Sequence, residues 1–102
     1  MSNIIDFKDG NVTYNEFYID FSIPYDKQVD CLLEDLIQVE YNNGYILDVG
    51  WYPEFDYSGQ FIIQIIEKYE WESPTFYRKC NDEENLKKNL IDAVQIINAK
   101  FL

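Results

Sequence analysis

The sequence predicts an α+β fold, in which two amphipathic helices pack on a single, mostly antiparallel sheet of four to five strands. Two observations predict it. Apolar and polar residues alternate in several short segments, which is typical of half-buried strands, and in two longer segments apolar residues recur at helical spacing. The predicted order is β-α-β-β-β-α. The 102 residues, 47% of them hydrophobic, suit one domain over residues 1–102.

The first third of the chain predicts one strand and one helix. Apolar residues alternate from Phe17 to Ile23, which indicates a strand, and Ile4 to Phe7 is a candidate partner in a hairpin. Pro24 ends this strand and suits a helix entrance. The apolar residues that follow recur at helical spacing, so we expect a helix from Asp26 to Glu40, with Gly44 available for a left-handed cap.

Three strands follow in the middle of the chain. Residues from Tyr45 to Trp51 alternate, whereas Phe61 to Ile66 is apolar at both parities, as in a strand with neighbours on both sides. Thr75 to Cys80 alternates again, and Arg78 and Lys79 suit the edge of a sheet. These strands lie close enough along the chain to form an antiparallel meander.

A second helix is predicted at the C-terminal end. Asn81 is the expected cap, and Glu84 lies three residues later, where a capping box places its reciprocal partner. The apolar stripe of this helix consists of Leu86, Leu90, Ala93, Val94, Ile97 and Phe101.

Acidity excludes one class of function. The chain has 8 Lys plus Arg against 19 Asp plus Glu and no histidine, which gives a net charge of −11. Phosphate binding draws on Lys and Arg, so the composition excludes direct nucleic-acid binding at physiological pH. Without histidine the chain lacks an imidazole base and a His metal ligand.

The charge is unevenly distributed. Between Gln28 and Ile66 the chain has seven acidic residues and no basic one. Such a block repels itself, and we interpret it as a surface that attracts a cationic partner. Ordinary solubility is the alternative explanation. The seven residues are Asp30, Glu34, Asp35, Glu40, Asp48, Glu54 and Asp56.

Two partner-binding surfaces are predicted within this block. The first is the aromatic loop from Trp51 to Tyr57, because exposed tyrosines and carboxylates suit contact with a basic protein. Trp51 and Phe55 are expected in the core. The second surface is the acidic face of the first predicted helix. The candidate residues are Asp48, Tyr52, Glu54, Asp56 and Tyr57 for the loop, and Asp30, Glu34 and Asp35 for the helix.

Other functional classes have little support in the sequence. Paired carboxylates could serve catalysis, but two acids on a loop of so acidic a chain are weak evidence, so we expect a non-catalytic protein. Cys31 and Cys80 are too few for a disulfide framework and lack a metal-binding motif. No cofactor or metal is expected. The acidic start and the lack of a long apolar run favour a cytoplasmic protein that does not enter the membrane.

One resemblance adds to these inferences. The segments Asp48 to Phe61 (DVGWYPEFDYSGQF) and Trp71 to Pro74 (WESP), followed by the capped helix from Asn81, resemble small immunity proteins of bacterial contact-dependent inhibition and related polymorphic-toxin systems. The resemblance covers about half of the chain and concerns size, acidity and element order. It implies a cytosolic, non-catalytic protein that binds and neutralises one cognate toxin domain, often a nuclease.

Two alternatives stay open at this point. An acidic nucleic-acid mimic or anti-CRISPR-type inhibitor from a mobile element would also be rich in carboxylates. An adaptor for protein interactions, which could form a homodimer through an edge strand, is the other. The sequence leaves the oligomeric state open.

Overall fold

Residues 4–99, which the computed structural model describes, form a five-stranded antiparallel sheet and a C-terminal helix. Each strand pairs with the next one along the chain, so the sheet is a meander. The single antiparallel sheet of an α+β fold is therefore confirmed. The elements are β1 (Asn11–Asn15), β2 (Ile37–Glu40), β3 (Tyr45–Tyr52), β4 (Gln60–Glu67), β5 (Phe76–Cys80) and α1 (Glu83–Ala99).

The two faces of the sheet differ in their covering. One face carries fully buried apolar side chains, such as Val49 of β3 and Ile63 of β4, and packs against α1 and the irregular segment 16–36. We call the opposite surface the open face. From the strand register and alternation, the residues of this face are Tyr14, Gln38, Glu40, Ile46, Asp48, Gly50, Tyr52, Gln60, Ile62, Gln64, Ile66, Tyr77 and Lys79.

The helix α1 buries the stripe that its periodicity predicts, but its cap lies one residue later than expected. Asp82 is the cap: its Oδ1 accepts a hydrogen bond from the Asn85 amide at 2.8 Å, and its Oδ2 accepts one from Asn85 Nδ2 at 2.9 Å. The Asn81 carbonyl instead accepts a hydrogen bond from the Tyr25 hydroxyl. The expectation that Asn81 and Glu84 form a capping box is therefore wrong.

The stripe itself is confirmed where the structure describes it. The buried residues of α1 are Leu86, Leu90, Ala93, Val94 and Ile97, whereas Phe101 lies outside the described residues. No helix within residues 4–99 is long and apolar enough to cross a membrane.

The helix expected from Asp26 to Glu40 is absent, so the predictions of two helices and of the order β-α-β-β-β-α are wrong. Two short 3-10 turns, Tyr25–Lys27 and Val29–Cys31, are followed by β2. The apolar residues of this segment are buried from an extended backbone rather than from one helical stripe. Pairing with the long strand β3 satisfies the backbone groups that a helix would have satisfied internally.

The alternating segment from Phe17 to Ile23 is not a strand either. Its buried members Phe17 and Ile19 still reach the core, but polar side chains replace the ladder hydrogen bonds. The Gln28 side chain accepts a hydrogen bond from the Asp20 amide and donates to the carbonyls of Asp20 and Ile23. β1 lies earlier, at Asn11–Asn15.

Residues 4–7 form no strand, so the proposed hairpin is also wrong. Phe7 is nevertheless buried in the core, and its carbonyl accepts a hydrogen bond from the Tyr41 hydroxyl at 2.9 Å. Gly44 has the expected left-handed conformation, with φ of 88°, but it lies in the β2–β3 turn rather than at a helix end.

The packing of α1 gives a testable prediction. Leu90→Ala removes a fully buried side chain and should lower the free energy of unfolding by about 2–5 kcal/mol, because it leaves a cavity between helix and sheet. The neighbouring Ile91 is exposed on the same helix, so Ile91→Ala should cost less than about 1 kcal/mol. Chemical denaturation of both variants measures the difference. Equal losses would contradict the orientation of α1.

Candidate interaction surface

A row of polar side chains crosses the middle of the open face. Consecutive strand registers pair Tyr14 with Gln38, Gln38 with Asp48, Asp48 with Gln64, and Gln64 with Tyr77. The row therefore runs through all five strands, with a carboxylate at its centre, an amide on each side and a phenol at each end. We call it the central row. It places hydrogen-bonding groups across a face whose neighbouring positions include isoleucines.

Asp48 is the buried acid at the centre of this row. Only 5% of the residue is exposed, and Gln38 Nε2 donates a hydrogen bond to its Oδ1 at 3.1 Å. Burial raises the pKa of Asp48 to about 6; the hydrogen bond from Gln38 lowers it in part, and the nearby carboxylate of Asp35 raises it. Burial therefore disfavours the charged form of the Asp48 carboxylate.

Two further acids reach the open face through the segment before β2. The backbone of Glu34 lies against Gly50 of β3, where a Cβ atom would collide with the Glu34 carbonyl oxygen. The Glu34 amide donates a hydrogen bond to Glu54 Oε1 at 3.2 Å, which joins this segment to the β3–β4 loop. Glu34, Asp35 and Glu54 are exposed. Close backbone approach at a glycine therefore brings acids from two loops together.

Tyrosines surround these carboxylates. Desolvation, together with the charges of Asp48, Asp35 and Glu34, raises the pKa of Tyr52 to about 12. Desolvation is also the largest cause that raises the pKa of Tyr14, and the charges of Glu16, Asp35 and Glu54 raise it too. These phenols therefore stay protonated and keep a hydrogen to donate. We call this group of carboxylates and phenols the acidic tyrosine patch; its members are Tyr14, Glu16, Tyr18, Glu34, Asp35, Asp48, Tyr52, Glu54 and Tyr77.

The carboxylates of this patch have no cationic partner within residues 4–99. The ion pairs in that range join Lys8 to Asp6 and Lys87 to Glu83, and neither involves an acid from residues 28–66. Lys79 lies on the open face, but on β5, two strands away from Asp48. The negative potential of the patch is therefore left for solvent cations or a partner.

The structure brings five of the eight predicted site residues together and leaves three apart. Asp48, Tyr52, Glu34, Asp35 and Glu54 belong to the acidic tyrosine patch. Asp30 lies exposed in the second 3-10 turn, not on a helix beside Glu34. The prediction that Asp30, Glu34 and Asp35 share the face of a helix is therefore wrong.

Asp56 and Tyr57 belong to the β3–β4 loop but are not drawn into the patch by any contact within residues 4–99. Asp56 Oδ1 accepts hydrogen bonds from the Ser58 amide at 2.9 Å and the Ser58 hydroxyl at 2.6 Å, which lower the pKa of Asp56 and fix the turn. Tyr57 is exposed. These two residues shape and border the loop.

The two large apolar residues of that loop behave differently. Trp51 is fully buried, as predicted, and its ring meets Phe61 edge-on with centroids 4.8 Å apart. Phe55 was expected in the core but is 53% exposed. Its backbone has a left-handed φ of 64°, and its amide donates a hydrogen bond to the Leu32 carbonyl at 2.7 Å. The turn that makes this bond turns the Phe55 side chain out of the core.

Sequence reasoning missed the parts of the patch that lie outside the acidic block. Tyr14 comes from β1, a segment for which the sequence predicts no strand, and Tyr77 comes from an edge strand for which no function is predicted. Gln38 and Gln64 are neutral and carried no signal of charge. The β-prone run Val12 to Tyr14 could have indicated β1, but only strand order shows that these residues share a row.

The charge of Asp48 gives a pH prediction. The folded state holds the Asp48 proton up to about pH 6, whereas the unfolded chain releases it near the ordinary 3.8, so folding is penalised increasingly as pH rises between these values. Asp48→Asn keeps the shape and an acceptor for Gln38 but has no charge. Its stability relative to the original chain should therefore rise by about 3 kcal/mol from pH 3.5 to pH 8.

Urea denaturation at several pH values measures this difference. Glu72→Gln, which removes an exposed charge from the β4–β5 loop, is the control and should give a nearly constant difference. An Asp48→Asn effect that is the same at both pH values would show that the carboxylate carries no burial penalty.

Comparison with known proteins identifies no relative of this chain. No family model matches the chain, and neither curated proteins nor solved structures give a significant match. Function is therefore inferred from the side chains of the open face.

Proposed function

We propose that this chain is a non-catalytic immunity protein that binds a basic toxin domain through the acidic tyrosine patch and neutralises it. The observation that carries the proposal is the gathering of five carboxylates, without a cationic partner among residues 4–99, beside exposed tyrosines on the sheet face opposite α1. Carboxylates attract Arg and Lys, and tyrosines supply contact area at low entropic cost.

The chemistry of the partner follows from the charge of the patch. A nuclease must present Arg and Lys to the phosphates of its substrate. A surface rich in carboxylates can therefore bind those basic side chains or a neighbouring region of the nuclease. The bound chain would then neutralise the nuclease by keeping the phosphates of the substrate away from its Arg and Lys side chains. The sequence resemblance to immunity proteins supports the same class of partner.

The acids are assigned to binding rather than to chemistry because of where they lie. General acid–base catalysis is favoured by a carboxylate set in a cleft that surrounds the substrate. Asp48, the buried acid of the patch, belongs to a sheet face, and Glu34, Asp35 and Glu54 are exposed. This arrangement suits recognition of a surface.

Charge reversal on the patch tests the proposal. Glu34→Lys combined with Asp35→Lys should weaken binding of the cognate toxin domain by about tenfold or more, because the two new lysines repel the basic side chains of the partner. We expect a large protein with a basic C-terminal domain to be encoded next to this chain, and that domain is the partner to test. Isothermal titration calorimetry gives the affinities, and circular dichroism checks the fold.

The matched control makes the same change of charge elsewhere. Glu70→Lys with Glu72→Lys alters the exposed β4–β5 loop and should leave affinity within about twofold at physiological ionic strength. Equal weakening by both pairs would indicate general charge attraction. Competition by unrelated DNA-binding proteins for the chain would favour a nucleic-acid mimic instead.

Electrostatic steering gives a kinetic prediction. The association rate constant should be on the order of 10⁸ M⁻¹ s⁻¹ at low salt and fall by about tenfold or more as salt rises to 0.5 M, because ions screen the patch from the partner. The dissociation rate should change much less. Stopped-flow fluorescence anisotropy of a labelled toxin domain follows the reaction, because the complex tumbles more slowly than the free domain. A flat salt dependence would contradict steering.

A further inference from the structure

We propose that the open face recognises an arginine side chain of the partner, with the guanidinium seated over Asp48 in the central row. The inference rests on the proposed function and specifies it, since it names the group that the acidic tyrosine patch selects. Three features carry it: the incompletely satisfied carboxylate of Asp48, the amides and phenols that flank it, and the lack of a nearby cation within residues 4–99.

One carboxylate oxygen of Asp48 accepts no hydrogen bond within residues 4–99. Gln38 binds Oδ1, and Oδ2 accepts no hydrogen bond from any residue between 4 and 99. Within that range, every fully enclosed side-chain oxygen or nitrogen has a hydrogen-bond partner. Oδ2 is therefore not completely enclosed, although Asp48 as a whole is more than nine-tenths buried. A donor from outside could bind there.

The burial of Asp48 gives such a donor an energetic advantage. A carboxylate held among neutral groups loses solvation on folding, and a cation brought to it recovers part of that loss. Because the surroundings are poorly hydrated, a charge-assisted hydrogen bond at this position is stronger than one made by an exposed acid such as Glu54. The partner's cation is therefore expected to select Asp48 over the rim acids as its main contact.

The flanking groups distinguish arginine from lysine. A guanidinium is planar, carries five N–H donors and stacks on aromatic rings, whereas an ammonium is a compact and strongly hydrated charge. Gln64 pairs with Asp48 in the strand register and lies on the same face, and Tyr52 lies near enough for its pKa to be raised by the Asp48 charge. A carboxylate, an amide and an aromatic ring together match the donors and the flat surface of arginine.

The charged and titratable groups around Asp48 favour a cation from every side but one. The segment before β2 contributes Asp35, β3 contributes Tyr52, and β1 and β5 contribute Tyr14 and Tyr77 at the ends of the row. On the β5 side, Lys79 opposes the approach, and its ammonium lies 5.8 Å from the Tyr77 ring centre. The arginine is therefore expected to approach from the β1 side, where the acids lie.

Short cationic peptides test this inference without the toxin. Blocked tetra-arginine and tetra-lysine carry the same charge, and their titration into ¹⁵N-labelled chain is followed by NMR at pH 7.5. We expect tetra-arginine to bind about fivefold more tightly than tetra-lysine, because the planar guanidinium can bind a carboxylate with two hydrogen bonds and also stack flat on a tyrosine ring. The shifted signals should be the side-chain amides of Gln38 and Gln64 and the backbone amide of Asp48.

Two variants of equal charge locate the contact. The Asp48→Asn variant should bind tetra-arginine and tetra-lysine with about equal affinity. Glu72→Gln, on the β4–β5 loop, should keep the full preference for tetra-arginine. Retained preference in Asp48→Asn would overturn the assignment of Asp48. Equal binding of both peptides to the open face would overturn arginine recognition and leave the proposed acidic interface standing. Toxin binding unaffected by Glu34→Lys with Asp35→Lys would overturn the interface itself.

Discussion

Backbone hydrogen bonds between the segment before β2 and the strand β3 decide where the acids of this chain lie. The Leu36 amide donates to the Val49 carbonyl at 3.0 Å, and the Trp51 amide donates to the Leu33 carbonyl at 2.8 Å. Between these two bonds the chain carries Glu34 and Asp35 out across β3. A helix in this segment would have satisfied its own backbone and placed the same acids elsewhere.

This arrangement depends on Gly50. Because glycine has no Cβ atom, the carbonyl of Glu34 can lie against β3 at a position where any other residue would collide with it. The same contact partly covers the open face and contributes to the burial of its central strand. One small residue thus links the path of the backbone, the position of two acids and the environment of Asp48.

The open face combines a buried charge with exposed acids and tyrosines. A buried carboxylate without a cation reduces the stability of the free chain, and neighbouring acids add to the repulsion. The rest of the fold tolerates this because the opposite face of the sheet has a continuous apolar core, formed with α1 and the segment 16–36. Separation of the two faces lets one surface carry the apolar core while the other carries the acids and tyrosines.

The sequence by itself determined the elements whose pattern is local. The alternation in β3 and β5, the two-sided apolar run of β4, the stripe of α1 and the burial of Trp51 were all predicted, because each follows from the period of one element. The existence of an acidic block without cations was equally evident.

Tertiary structure decided what that block becomes. Apolar residues between 26 and 40 have helical spacing, yet β3 offered unpaired backbone groups along eight residues, and strand pairing prevailed over local propensity. The central row joins residues as far apart in sequence as Tyr14 and Tyr77, which only strand order can align. Long-range hydrogen bonding leaves no periodic trace in the sequence, and for that reason the acidic tyrosine patch emerged only from the fold.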